Sequence, residues 1–354
     1  MADSIVNDKR IYIGTAVEGT YNTATTGGSN YTRIWGKTLP EILPESEDFT
    51  DEGLLGVSRT NAKKLCKFNW KEPAFPIAGE IDNFSSFMGR LALRAVGGTI
   101  TITEPVSSTV YLHTAVPATA HQLSGTSVCY SHDANSFLYA GCVVERFKFT
   151  QEGLAMPTYE IDMLGTGKHT TPHGLSSLPT SEPSLDCVDP YNSQFIWTDA
   201  DSTTTDFGAG SRLMGFSFEY KNNHILGDKR MGEGTSGPSG GVLHHRGAIK
   251  RGEPTVTASV KLAFAAADID EWTRYAKNQT FTNGTFRVKG SIASGSTRYA
   301  LEAIIPTFKI GGPIAVSTNN KIAIATCNLI ALDNSSIGGL ATIGVQNVTA
   351  TAYA

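Results

Sequence analysis

Short runs in which apolar and polar residues take strict turns recur along this chain. That period of two leaves room for little besides antiparallel β-structure. In Val143–Thr150, Phe147 and Phe149 share one face, and Arg146, Lys148 and Thr150 share the other. Tyr159, Ile161 and Met163 alternate with Glu160 and Asp162. Phe216, Phe218 and Tyr220 alternate with Ser217, Glu219 and Lys221, and Phe286 and Val288 with Arg287 and Lys289. Ile322 and Ile324 mark one more strand. One wet and one dry face per run predicts antiparallel sheets in a sandwich or barrel. Composition agrees: 36 glycines in 354 residues supply turns, and 40% apolar residues are too many for a disordered chain. The length suits about two domains of ordinary size.

Two segments carry a helical period. Asp82 is placed as an N-cap, followed by Phe84, Phe87, Met88, Leu91 and Ala95 on one face. Asp268 and Glu271 resemble a capping box, with Ile269, Trp272 and Ala276 on the following face. Each helix comes directly after a strand-like run, and that symmetry points to a repeat. Lys71–Pro76 leads the first strand and helix, and Gly252–Thr257 leads the second. Tyr139-Ala140 and the run to Phe147-Lys148-Phe149 are echoed by Tyr299-Ala300 and the run to Phe308-Lys309-Ile310. Gly153-Leu154-Ala155 before the Tyr159 strand is echoed by Pro313-Ile314-Ala315 before the Ile322 strand. The reading is mainly β: two tandem antiparallel sandwich or barrel units, over residues 1–175 and 176–333, each with one short flanking helix. A C-terminal tail, 334–354, follows. Two polar stretches, 47–64 and 232–241, fall at equivalent points and read as long loops, one functional appendage per copy.

Several functions drop out on charge and pattern. Charged residues make up only 18%, and the formal net charge is −4. The uncharged surface this leaves suits protein contacts. A mildly acidic chain without a basic block lacks the footprint of a tight nucleic-acid binder. No apolar run approaches the length of a membrane span. The opening Met1-Ala2-Asp3-Ser4 has neither the basic nor the apolar region of a secretory signal. Five scattered cysteines, Cys66, Cys129, Cys142, Cys187 and Cys327, predict reduced thiols from cytosolic synthesis. Six Asn-x-Ser/Thr triplets, at Asn30, Asn83, Asn278, Asn283, Asn334 and Asn347, read as turn composition.

Chemical motifs fail on inspection. Gly165-Thr166-Gly167-Lys168-His169-Thr170 glances at a phosphate loop, but the first glycine of that pattern falls on Asp162 and the hydroxyl position on His169. His169 and His173 have a metal-friendly spacing only on a helix, and Pro172 and Gly174 make this a loop. His244 and His245 would point to opposite faces of a strand. Asp199, Asp201 and Asp206 could cage calcium, but the EF-hand glycine and glutamate positions are wrong, and an Asp/Thr-rich turn is the simpler reading. Asp206-Phe207-Gly208 stands without any other kinase part, and no Gly-x-Ser-x-Gly elbow occurs. The tryptophans, Trp35, Trp70, Trp197 and Trp272, form no stripe and read as core and interface anchors. No catalytic, cofactor-binding or metal residue is assigned.

Four places resemble the tail tube (major tail) proteins of long-tailed bacteriophages in their duplicated form. They are Lys9–Gly14 with Glu18 and Tyr21-Asn22-Thr23-Ala24, the strand–helix unit Glu72–Leu93, Tyr111-Leu112-His113-Thr114, and the strand pair from Tyr139–Cys142 to Tyr159–Gly165. Asn22 stands where that family usually has glycine, and 334–354 has no counterpart. The resemblance implies sandwiches, each with one flanking helix, similar to the tube protein of type VI secretion. Their sheets join side by side into rings, and the rings stack into a hollow tube. It implies a virion subunit without catalytic residues or cofactors, made in the host cytoplasm, whose lumen conducts DNA into the host without gripping it. Partners would be other copies, a tape-measure protein and tail-end or terminator proteins, with no membrane. Two copies per chain would let a trimer with pseudo-sixfold walls do what a hexamer of single copies does. Loop 232–241 would bridge rings, and Phe87 and Trp272 would pin equivalent helices. The competing readings are a β-sandwich adhesin or carbohydrate-binding virion module, and a β-rich hydrolase.

Overall fold

The computed structural model describes residues 9–34, 37, 46–51, 64–81, 84, 87–132, 135–170, 178, 188, 190–199, 201–209, 212–225, 249–264, 279–319, 322–351 and 353. The protein is mainly antiparallel β. The first strands are β1 (Lys9–Gly14), β2 (Tyr31–Arg33), β3 (Ser46–Asp51), β4 (Lys64–Trp70) and β5 (Ala74–Glu80), followed by helix α1 (Phe87–Val96). Then come β6 (Gly97–Val106), β7 (Val110–Pro117), β8 (Thr126–His132), β9 (Asn135–Glu152), β10 (Thr158–Leu164) and β11 (His169–Thr170). Further on lie β12 (Gln194–Thr198), β13 (Thr204–Asp206), β14 (Leu213–Lys221) and β15 (Thr255–Phe264). The last are β16 (Phe281–Ser294), β17 (Thr297–Asn319), β18 (Ile322–Ala331) and β19 (Thr342–Asn347). Among the described residues no helix is long and apolar enough to cross a membrane.

Strand order is the informative part. The ladders β2–β1, β1–β8, β8–β9, β9–β10 and β10–β5 run in sequence. Pairing for pairing, β13–β12, β12–β16, β16–β17, β17–β18 and β18–β15 run the same way. Long strands β9 and β17 each change partner part-way, from β8 to β10 and from β16 to β18, which is how a strand serves two layers. The two series meet where β9 pairs with β14, which in turn pairs with β15. The result is one continuous run, β5–β10–β9–β14–β15–β18–β17. A second layer runs β13–β12–β16–β17–β19–β7–β6.

The alternating aromatics do what the sequence implies. Phe147, Phe149, Tyr159, Ile161, Phe216, Phe218, Tyr220, Phe286 and Val288 are all buried. Phe286 of the second layer lies 5.6 Å from Phe216 and 5.8 Å from Phe218 of the first, ring centre to ring centre. Trp197 sits among Phe207, Phe281 and Phe308 as a core anchor. The Ile322 strand exists, but its dry face is Ala325, Cys327 and Leu329, while Ile322 and Ile330 stand half exposed on the other side. Cys129, Cys142 and Cys327 are buried free thiols, and burial pushes the pKa of Cys129 and of Cys327 up to about 12. Asn347, one of the six sequon asparagines, is fully buried.

Helix α1 is more deeply placed than its periodicity implies. Nine of its ten residues are buried, because β9 and β14 flank it on one side and β7 and β19 on another. Gly89 lets the backbone of Phe84 and the Val345 side chain close in, since a Cβ there would meet them at 3.0 and 3.1 Å. Arg94, 7% exposed, donates to the carbonyls of Gly14 and Thr15 and to Thr126 Oγ1, and so ties the helix to the end of β1. Burial pushes its pKa down to about 9, so it is still charged at neutral pH. Phe87 is 3% exposed and meets Tyr159 edge-on at 6.0 Å. Phe87→Ala is expected to cost about 3–5 kcal/mol in chemical denaturation, as for a buried aromatic. A loss under ~1 kcal/mol would mean that the helix is held by other contacts. The N-cap at Asp82, the second helix with Trp272, residues 52–63 and all of loop 232–241 lie outside the described residues. The described ends of the expected loop 47–64 are strand instead, since β3 and β4 pair antiparallel with Asp51 opposite Lys64.

Candidate assembly surface

The seven-stranded run turns one face to the core and one outward. On the outward face five carboxylates stand among five cations: Glu80, Glu152, Glu160, Asp162 and Glu219 with Arg146, Lys148, Lys221, Lys261 and Lys309. Arg146 lies near the middle. Its Nε donates to Asp162 Oδ2 at 2.7 Å, its Nη2 approaches Glu160 Oε2 at 3.0 Å, and its Nη1 reaches Glu219 Oε2 at 3.4 Å. Burial works against the charge on Arg146, but these carboxylates more than offset it and hold its pKa above the ordinary value. Lys148 pairs with Glu160 at 3.0 Å, and Lys261 pairs with Glu152. Each such half-exposed pair is worth only ~0–1 kcal/mol. Their larger effect is electrostatic, because the face carries both signs interleaved and no net excess.

Three strands share these contacts across the β9–β14 seam. Arg146 and Lys148 stand on β9, their partners on β10 and β14, and Thr150 Oγ1 lies 3.4 Å from Ser217 Oγ across the same seam. At the far end of the run, β17 has β18 on one side from Phe308 to Asn319. On its other side β16 stops at Phe308, and among the described residues nothing pairs with β17 beyond it. That open position corresponds to the one where β9 receives β14. At the opposite end β5 pairs only with β10 among the described residues, and Lys37 Nζ reaches Glu80 Oε1 at 2.5 Å.

The residues singled out from the sequence find mostly structural places. Glu18, 6% exposed, accepts from the amides of Asn22 and Gly141 and from Ser127 Oγ. Burial raises its pKa, and these donors work in the opposite sense. It pegs a turn against β8 and β9. Asn22 takes a left-handed backbone there, φ 62°, a conformation glycine adopts freely and asparagine tolerates. Thr166 Oγ1 donates to Asn22 Oδ1, and Lys168 Nζ donates to Asn22 O, so the loop that glances at a phosphate site spends its polar groups inside the fold. His113 of the Tyr111–Thr114 segment is buried with Nε2 2.9 Å from Thr349 O, and burial lowers its pKa.

The aspartates near 199 form a hairpin turn between β12 and β13. Asp199 Oδ1 accepts from the amides of Asp201 and Thr203, and Asp206 accepts from Gly208, Ala209 and Gln194. Among the described residues no three His, Cys, Asp or Glu side chains gather as a metal set. His169 Nδ1 lies 3.1 Å from Gly167 O, while His173, His244 and His245 lie outside the described residues. The outward-facing ion pairs had no signal in the sequence beyond their alternation. Which carboxylate meets which cation depends on strand register.

A family model described as phage tail tube protein matches residues 8–331. No curated protein matches the chain.

Proposed function

From the premise that the chain belongs to the phage tail tube protein family, we propose that it carries two copies of one sandwich-and-helix unit and that three chains close one ring of the tube. As a member of that family it is a structural, non-enzymatic subunit of the virion tail that self-assembles into a tube. The observation that carries the proposal is the matched strand order. The series β2–β1–β8–β9–β10–β5 and β13–β12–β16–β17–β18–β15 divide between residues 1–175 and 176–333, with 334–354 beyond both copies. Six such units make a pseudo-sixfold wall from three chains. The internal β9–β14 seam is then the pattern for the junction between chains. There the open stretch of β17 receives the first unit of the next chain, and closed cyclic symmetry ends the series without leaving an edge.

The outward face of the seven-stranded run lines the lumen in this arrangement. Its interleaved charges support passage of DNA without retention, because an excess of lysine and arginine would hold phosphates. Rings stack along the axis, a tape-measure protein occupies the lumen before DNA does, and terminator proteins close the ends. Imaging of tubes grown from the purified chain tests the stoichiometry. Three chains per ring, with the two halves of each superposing as similar sandwiches, is the expected result. Six chains per ring would remove the trimer and leave the tube function intact.

A further inference from the structure

Beyond β19 the chain runs over the surface and then plants a ring back inside the fold. Val348 is 45% exposed, yet Tyr353 is buried. The Tyr353 ring lies 4.6 Å from the ring of His113, centre to centre, and its hydroxyl donates to Thr349 Oγ1 at 3.2 Å. His113, on β7, is fully buried with Nε2 2.9 Å from Thr349 O. A carbonyl oxygen only accepts, so Nε2 carries the proton, and in the neutral ring Nδ1 is bare. That Nδ1 is buried and has no hydrogen-bond partner. The one charge acting on the ring is Arg90 of α1, whose Nη1 is fixed by donation to Thr15 O. Arg94, one turn along the helix, spends its donors on Gly14 O and Thr15 O. Val345 of β19 and Ile102 of β6 stand opposite His113, and Tyr111 lies two places along β7. No carboxylate among the described residues acts on this ring.

We propose that His113 is the catch of a proton-sensitive latch: the neutral imidazole holds residues 348–353 against the fold, and the protonated one releases them. A second proton would sit on Nδ1, a buried donor with nothing to accept it, beside a guanidinium that is tied in place. Both effects penalise the charged ring. Burial and Arg90 lower the pKa of His113, with Thr349 O and the Asn347 side chain opposing them. Lifting the segment returns the imidazole to water, where it titrates near 6.5. The closed form is therefore fully favoured above about pH 6.5 and loses ground as the pH falls below it. Few ties oppose the release. Thr349 is held by His113, by Asn347 Oδ1 at 2.8 Å and by the Tyr353 hydroxyl, and Tyr353 by its rings and Asn347. The ladders of β19 to β7 and β17 end at Asn347 and Gln346, so opening beyond them breaks no strand pairing.

The test is hydrogen exchange of the full, unassembled chain, read by mass spectrometry from pH 7.5 to pH 5. Protection factors are compared, so that the intrinsic pH dependence of exchange cancels. In the wild type, protection of the peptide that covers 348–353 should hold down to about pH 6.5. It should then fall by about tenfold or more by pH 5, up to tenfold for each unit of pH. Protection of β14 should not change over the same range. His113→Gln keeps a donor for Thr349 O but cannot take up a proton, so its protection should be the same at both ends of the range. A flat wild-type profile, or an equal loss in His113→Gln, overturns the proposal. So does a loss in β14 that keeps step with the end of the chain, which would be acid unfolding of the whole subunit. Should His113→Gln fail to fold, the wild-type comparison of 348–353 with β14 still decides. None of these outcomes depends on ring stoichiometry.

Discussion

Deleting residues 334–354 is expected to leave a chain that no longer unfolds cooperatively. The family match ends at residue 331, so the deletion leaves the whole matched stretch intact. The structure gives the removed segment a central place. Strand β19 lies between β7 and β17, with Val345 opposite His113 on one side and Leu301 on the other. Ile343 and Val345 are fully buried, and Tyr353 is 1% exposed. Burial of three such side chains is worth about 5–9 kcal/mol at ~1.5–3 kcal/mol each. A typical domain has only ~5–15 kcal/mol in total.

The polar contacts are equally specific. Asn347 Nδ2 donates to Phe84 O at 3.2 Å and approaches the Tyr353 hydroxyl at 2.5 Å, while its Oδ1 accepts from Thr349 N at 2.8 Å. The Arg90 guanidinium lies 4.5 Å from the centre of the Tyr353 ring. Removal strips a ladder partner from both β7 and β17 and leaves two long open edges, which favour aggregation. Circular dichroism and urea titration of the truncated chain would show it. A soluble product with a wild-type denaturation midpoint would mean that β19 is a passenger.

This segment also marks where the sequence stopped being legible. Nothing in Thr342–Asn347 looks more strand-like than its surroundings, and without a counterpart in the repeat it reads as a tail. Its role depends on β7 and β17, more than 200 and about 40 residues earlier in the chain, lying side by side with a gap between them. Local pattern carries no such information. Where burial on one side settles the face, as in Phe147/Phe149 or Phe216/Phe218, alternation was sufficient. It was insufficient in β18, where small Ala325 and Cys327 face the core and the larger Ile322 and Ile330 do not. Helix α1 shows the same limit. Phe87, Met88, Leu91 and Ala95 mark one face, yet Arg94 on another is also buried, since its charge is spent on the carbonyls of Gly14 and Thr15 at the end of β1. For the assembly surface, residue types could be read from the sequence, but the partners of Arg146 could not.

The second large effect is expected at the open stretch of β17, and it concerns assembly with little change in the subunit. Val316 lies opposite Ala325 on the core side of the sheet, yet is 47% exposed because nothing described covers it. In the proposed ring the next chain covers this position. A lysine there can extend its ammonium into water in the free subunit, so Val316→Lys should shift stability by under ~1 kcal/mol. In the ring the same ammonium is trapped without a partner, at a cost of several kcal/mol for each junction. An inward-pointing lysine is also a device by which natural sheets block edge-to-edge pairing. Tubes should therefore be absent at concentrations where the wild type polymerises, while the thermal midpoint of the subunit is unchanged. Val316→Thr keeps the branched shape without the charge and should still polymerise. Negative-stain images of the two variants beside the wild type make the comparison. Normal tubes from Val316→Lys would show that this edge stays open in the assembly. Ring closure would then run through another surface, although the chain would remain a tail tube subunit.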